Sequence, residues 1–199
     1  MDLRLYLLIA LLPAQGPGDG WWLVPGVRQV DNIYYELFNT TEIWVRVIPE
    51  DPVGKPLLPS LVFKAFFPGR LPYRGDDKRT LEAKGPPSQL LLQAQVGPLS
   101  MIKGLPTLRL VIDGTTVDLM GSGARYRYRY SPQCSHDSPC AVNGVEVELA
   151  PSILHSLITA RSVTGEALGF AMKLTAEDQR ALAQFEARIG LAGEKKRDP

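Results

Sequence analysis

The sequence predicts a mainly β protein, a β-sandwich or partly open barrel of about seven to nine strands with two C-terminal α-helices. Three observations carry this. Apolar residues recur at every second position through most of the chain. Gly and Pro, 18 and 17 of 199 residues, are frequent enough to place a turn between successive short runs. Apolar spacing changes to the helical three-and-four pattern only after Pro151.

The first residues are set apart. Arg4 precedes the apolar run Leu5–Leu12, and Pro13-Ala14-Gln15-Gly16 follows. A basic start, an apolar centre and a small-residue exit form the outline of a secretory signal peptide over residues 1–14. The run is much shorter than the roughly 20 residues needed to span a bilayer, so no transmembrane span is expected. Asp2 and Leu12 depart from the ideal pattern, and a packed N-terminal element is the alternative. A flexible segment over 15–29 follows, containing Trp21-Trp22, which suits either packing over the end of a β body or an exposed anchor. A single β-rich domain then occupies 30–191, and 192–199 form a charged tail.

Within the domain, Ile33, Tyr35 and Leu37 alternate, as do Ile43, Val45 and Val47. Asn39-Thr40-Thr41 between them is turn chemistry, so these runs read as a hairpin. The same triplet is a glycosylation sequon. Leu61, Phe63, Ala65 and Phe67 form a third run. Leu90, Leu92, Ala94 and Val96 form a fourth, with Gln89, Gln93 and Gln95 on other positions. Leu108–Ile112 and Val117–Leu119 flank Asp113-Gly114, a pair suited to the positive φ angles of a type I′ turn. Further runs cover Ala124–Tyr130 and Val145–Leu149. Pro151 opens a helix with an apolar stripe of Ile153, Leu154, Leu157 and Ile158. Leu168, Phe170, Met172 and Leu174 read as one more strand. Thr175 then caps a second helix, with Glu177 and Asp178 in its first turn and Leu182, Phe185 and Ile189 on its buried stripe. Gly190 ends it in the left-handed position.

Composition bounds the function class. A net charge of +1 predicts no nucleic-acid partner, because binding a polyanion draws on a strongly basic face. Phosphate-binding glycine loops and dinucleotide fingerprints are absent, and no cofactor is expected. The only cysteines, Cys134 and Cys140, lie six apart. In an exported chain they read as a disulfide closing a surface loop, contributing on the order of 2 kcal/mol in the loop-entropy account. The alternative is a metal site of Cys134, His136 and Cys140, with a carboxylate as fourth ligand. That loop, with Asp137, is also where an extracytoplasmic hydrolase or metal-dependent enzyme would be built. Ser122, between Gly121 and Gly123, lacks the strand–turn–helix setting of a nucleophile elbow. His155 should face solvent from its helix.

The most unusual stretch is Arg125-Tyr126-Arg127-Tyr128-Arg129-Tyr130. As a strand it places three arginines on one face and three tyrosines on the other. It reads as a cationic ridge for an anionic group, as an aromatic platform for sugar rings, or as an amphipathic strand whose arginines pair with Glu146, Glu148 or Asp118. The polar segment Pro68–Ser88, with Arg70 and Arg74, is long enough to be either disordered or functional. The candidate binding surface is therefore Arg125–Tyr130 with Arg70 and Arg74. The expected role is an exported, non-catalytic binding or assembly module, periplasmic or extracellular, whose partner is an unknown protein or an anionic ligand.

The exported protein should lack its first residues by intact mass, and its two thiols should react with an alkylating reagent only after reduction. An uncleaved chain with two reactive thiols would remove the compartment argument and direct attention to the metal alternative.

Overall fold

The computed structural model describes residues 28–56, 59–74, 77–81, 83, 85–96, 106–121, 124–128 and 142–191. The predicted signal peptide, Trp21-Trp22, Ser122, Arg129, Tyr130, the Cys134–Cys140 loop and the charged tail lie outside the described residues. In chain order the elements are β1 (Val30–Tyr35), β2 (Thr40–Val47), β3 (Ser60–Pro68), β4 (Tyr73–Arg74), β5 (Asp77–Leu81) and β6 (Gln89–Gln95). There follow β7 (Leu108–Ile112), β8 (Thr115–Asp118), β9 (Arg125–Tyr128), β10 (Val142–Glu148), α1 (Pro151–Thr159), β11 (Val163–Ala167), β12 (Phe170–Lys173) and α2 (Ala176–Arg188).

The protein is mainly β and sandwich-like. Among the described residues an open six-stranded sheet has the order β1-β2-β3-β6-β10-β9, and a four-stranded sheet the order β12-β11-β7-β8. Both are antiparallel. Register places Ile43 opposite Ala65, Val45 opposite Phe63, Phe63 opposite Leu92 and Leu92 opposite Val147. These residues share one face of the large sheet because side chains alternate along a strand. One apolar cluster joins that face to Leu108, Leu110 and Val163 of the small sheet, Leu154 and Leu157 of α1, and Leu182, Phe185 and Ile189 of α2.

Local chemistry explains the element ends. Asp113 and Gly114 take φ 47° and 85°, as a type I′ turn requires. The Asp113 carboxylate also accepts the Ser162 N–H at 2.9 Å, tying this hairpin to the start of β11. At α2, the Thr175 hydroxyl accepts the Asp178 N–H at 3.1 Å and the Asp178 carboxylate accepts the Thr175 N–H at 2.9 Å, a reciprocal capping box. Asp178 is fully buried and also receives Arg28 Nε at 2.7 Å. Arg28 reaches Glu177 as well. Burial works against the charge on Arg28, yet its hydrogen bond to Asp178 and the charges of Asp178 and Glu177 raise its pKa above the ordinary value. At the other end of the helix, Arg188 donates to the Val30 carbonyl at 2.6 Å. The chain entering β1 is thus held along α2 from both ends.

Three expectations are corrected. The first hairpin turns earlier than the sequence predicts: a single 3-10 turn spans Glu36–Phe38, Asn39 is left-handed at φ 45°, and Thr40 and Thr41 already belong to β2. Leu37 is therefore an exposed turn residue rather than a strand residue. The parity of β1 is also inverted. Asn32 lies opposite Ile43 and Ile33 opposite Glu42, so Ile33 and Tyr35 face away from the core, because pairing with β2 decides which parity turns inward. Finally, the run Leu168–Leu174 is half of a hairpin. Leu168 and Gly169 form the turn between β11 and β12 with φ 55° and 85°. Leu168 accepts that uncommon conformation with its side chain buried in the core, while Phe170 is exposed. The Pro68–Ser88 segment is partly ordered: β4 and β5 pair as a ribbon, and Leu81 is buried.

Gly165 lies opposite Leu110 in the pairing of the two central strands of the small sheet. A Cβ there would meet the Arg109 carbonyl oxygen at 2.2 Å. Gly165→Ala should therefore cost roughly 1–3 kcal/mol by forcing β7 and β11 apart, lowering Tm by about 3–10 °C in thermal unfolding. Gly121→Ala, where nothing lies within 4 Å, should leave Tm unchanged.

Candidate functional site

The outer face of the six-stranded sheet is where chemistry-bearing side chains gather. With Ile43, Val45 and Val47 turned inward, Glu42, Trp44 and Arg46 take the opposite face of β2. Register continues a row across five strands: Arg46 opposite Val62, Val62 opposite Gln93, Gln93 opposite Glu146, and Glu146 opposite Arg125. At the usual strand spacing this row is about 19 Å long. The adjacent row runs from Trp44 through Lys64 and Leu91 to Glu148.

An outer face of a sandwich is ordinarily solvated, and the centre of this one is not. Arg46 is 5% exposed, Gln93 4% and Glu42 6%. Burial pushes the Arg46 guanidinium below its ordinary pKa. Glu42 is compensated by the Tyr35 hydroxyl at 3.1 Å and by Lys64 Nζ at 3.5 Å. Gln93 donates to the Gln95 side-chain oxygen at 2.6 Å. The row opens to solvent at its other end, with Glu146 half-buried and Arg125 exposed. The row thus holds the Arg46 guanidinium and the Gln93 amide withdrawn from water, and turns the Glu146 carboxylate and the Arg125 guanidinium toward solvent. Among the described residues no three His, Cys, Asp or Glu side chains converge to hold a metal.

The structure separates the predicted binding residues. Arg125, Tyr126, Arg127 and Tyr128 form β9, an edge of the large sheet, where Arg125 lies opposite Glu146, Tyr126 opposite Val145 and Arg127 opposite Gly144. Arg70 lies near the other edge, its guanidinium 5.5 Å from the centre of the Tyr34 ring of β1. Five strand spacings, about 24 Å, lie between the two edge strands. Arg74 falls on β4 opposite Asp77. Asp118, one of the expected partners of the arginine strand, is instead in the small sheet, with a carboxylate oxygen 3.6 Å from Arg109. Glu148 is exposed, as an amphipathic strand predicts. His155 is exposed too, but its Nδ1 lies 3.1 Å from Glu186 and ties α1 to α2.

Sequence reasoning missed Arg46, Glu42 and Lys64 and placed Gln93 only on the face opposite the apolar run of its strand. A signal was present. Leu61-Val62-Phe63 and Leu90-Leu91-Leu92 are unbroken apolar runs, the mark of strands buried on both faces.

Burial, the charge of Glu42 and the hydrogen bond to it raise the Tyr35 pKa to about 12. The folded protein then keeps this proton above about pH 10, where the unfolded chain releases it. The resulting contribution to stability is full below about pH 10 and is lost as pH rises toward the folded value. Denaturant unfolding at increasing alkaline pH should show a steeper loss of stability for the wild type than for Tyr35→Phe; equal slopes would mean that Tyr35 is not so held. Comparison with protein-family models, curated proteins and solved structures finds none that matches this chain.

Proposed function

We propose that the protein is an exported, non-catalytic binding or assembly module of the cell envelope or extracellular space, and that it meets its partner through the outer face and β9 edge of the large sheet. Export rests on the signal-peptide outline and on the cysteine spacing. The observation that carries the binding reading is the exposed Arg125 of β9, an edge strand of the large sheet among the described residues, at the solvent-open end of the row. The exposed Arg125 end of the row gives an anionic group, on a protein or a smaller ligand, its first point of contact.

Arg125→Gln tests this. The variant should elute from an anionic matrix at lower salt than the wild type, with Tm shifted by no more than about 2–4 °C, because a solvent-exposed ion pair contributes at most about 1 kcal/mol. Unchanged retention with a Tm loss well beyond that would make Arg125 an internal partner of Glu146 and remove the binding role.

A further inference from the structure

Six large hydrophobic side chains are exposed among the described residues, and four of them, Ile33, Leu37, Phe38 and Tyr73, gather at one end of the large sheet. Leu37 is 88% and Phe38 72% exposed, side by side in the turn between β1 and β2. Ile33 lies just behind them on β1. Tyr73 lies two residues past Leu71, whose N–H donates to the Thr41 hydroxyl at 3.2 Å.

The turn does not depend on these side chains for its shape. The Asn39 N–H donates to the Glu36 carbonyl at 3.2 Å, and the Asn39 carbonyl accepts from Gly69 N–H at 2.7 Å. The Tyr34 hydroxyl donates to Asn39 Oδ1 at 2.8 Å, and the Thr40 hydroxyl donates to the Phe38 carbonyl at 2.9 Å. A hydrogen-bonded frame thus displays two largely exposed apolar side chains. Exposed apolar groups concentrated in this way mark a surface for a partner.

Which partner follows from shape and from what stands behind the tip. A stable protein interface engages about 20–30 residues a side, whereas this crown is a handful of side chains on a narrow turn. Behind Leu37 and Phe38 come amphipathic Tyr34 and Tyr73, with Arg70 stacked on the Tyr34 ring. Apolar tip, aromatic rings, then cation matches the order of environments from the interior of a bilayer leaflet outward: acyl chains, headgroup boundary, phosphate. Exposed Glu36, at the start of the same turn, limits the depth of entry.

We propose that the β1–β2 turn is a peripheral membrane anchor that places Leu37 and Phe38 at the acyl-chain boundary and Arg70 against an anionic lipid headgroup. Two side chains make such attachment weak and reversible, since even one fatty-acyl chain binds only marginally. Co-sedimentation of the full-length protein with phosphatidylglycerol and with phosphatidylcholine vesicles tests it. The N-terminal apolar run is common to all variants, so differences between them report on the turn. The double variant Leu37→Ser/Phe38→Ser should lower partitioning to both lipids by about tenfold or more, because the buried apolar area is lost, with Tm unchanged. Arg70→Gln should weaken binding to phosphatidylglycerol alone. Wild type that sediments with neither vesicle, or a double variant that partitions like wild type, would overturn the proposal. A double variant that loses self-association in light scattering while keeping its vesicle binding would overturn it in favour of a protein partner.

Discussion

Ile43, Val45, Phe63, Leu92 and Val145 lie on one face of the six-stranded sheet, and the requirement that this face be kept from water arranges most of the rest. Burying each such side chain contributes roughly 1.5–3 kcal/mol, so the face cannot be left open. The small sheet and the two helices cover it with Leu108, Leu110, Leu157, Leu182 and Phe185. Hydrophobic contact is not directional, and polar clamps fix where the cover sits. Asp178 is the central one, a fully buried carboxylate that caps its own helix and receives Arg28 from the segment entering β1. Removing Arg28 would leave the buried Asp178 carboxylate with only its bonds to Thr175.

Close backbone approach imposes a second condition. Gly144 and Gly165 both sit where an added Cβ would strike a neighbouring carbonyl oxygen, at 2.6 Å and 2.2 Å. One lies on β10 in the large sheet and the other on β11 in the small sheet, so each sheet has a position where side-chain size itself sets the spacing. Neither residue has a positive φ. Their role is the absence of a side chain rather than freedom of the backbone.

The two surfaces with functional character have different physical origins. The outer face of the large sheet carries charge and amide groups withdrawn from water and held within the protein, as Tyr35 and Lys64 hold Glu42. The β1–β2 turn carries the opposite mismatch, apolar groups left in water. The first surface runs across the strands to β9 and the second lies at the β1 edge, and the two meet where Tyr35, just before the turn, bonds Glu42.

The sequence by itself determined the β class, most strand positions, the Asp113-Gly114 turn, the Thr175 cap and the buried stripes of both helices. Each of these depends on neighbours within a few residues: a period of two or of 3.6, a dipeptide with positive φ, a side chain reaching its own helix. Tertiary structure alone decided which parity of β1 faces inward, because pairing of Asn32 with Ile43 sets it and nothing within β1 does. It also split the Leu168 run into a hairpin, where the return strand and a buried Leu168 outweigh simple alternation. The candidate site was legible only in fragments. The Arg125 strand and the glutamines of β6 were visible in sequence, but the row Arg46–Val62–Gln93–Glu146–Arg125 joins five strands drawn from the 101 residues between Arg46 and Glu146 inclusive. Spatial adjacency across strands is a property of register, and register is fixed by how the whole sheet buries its core.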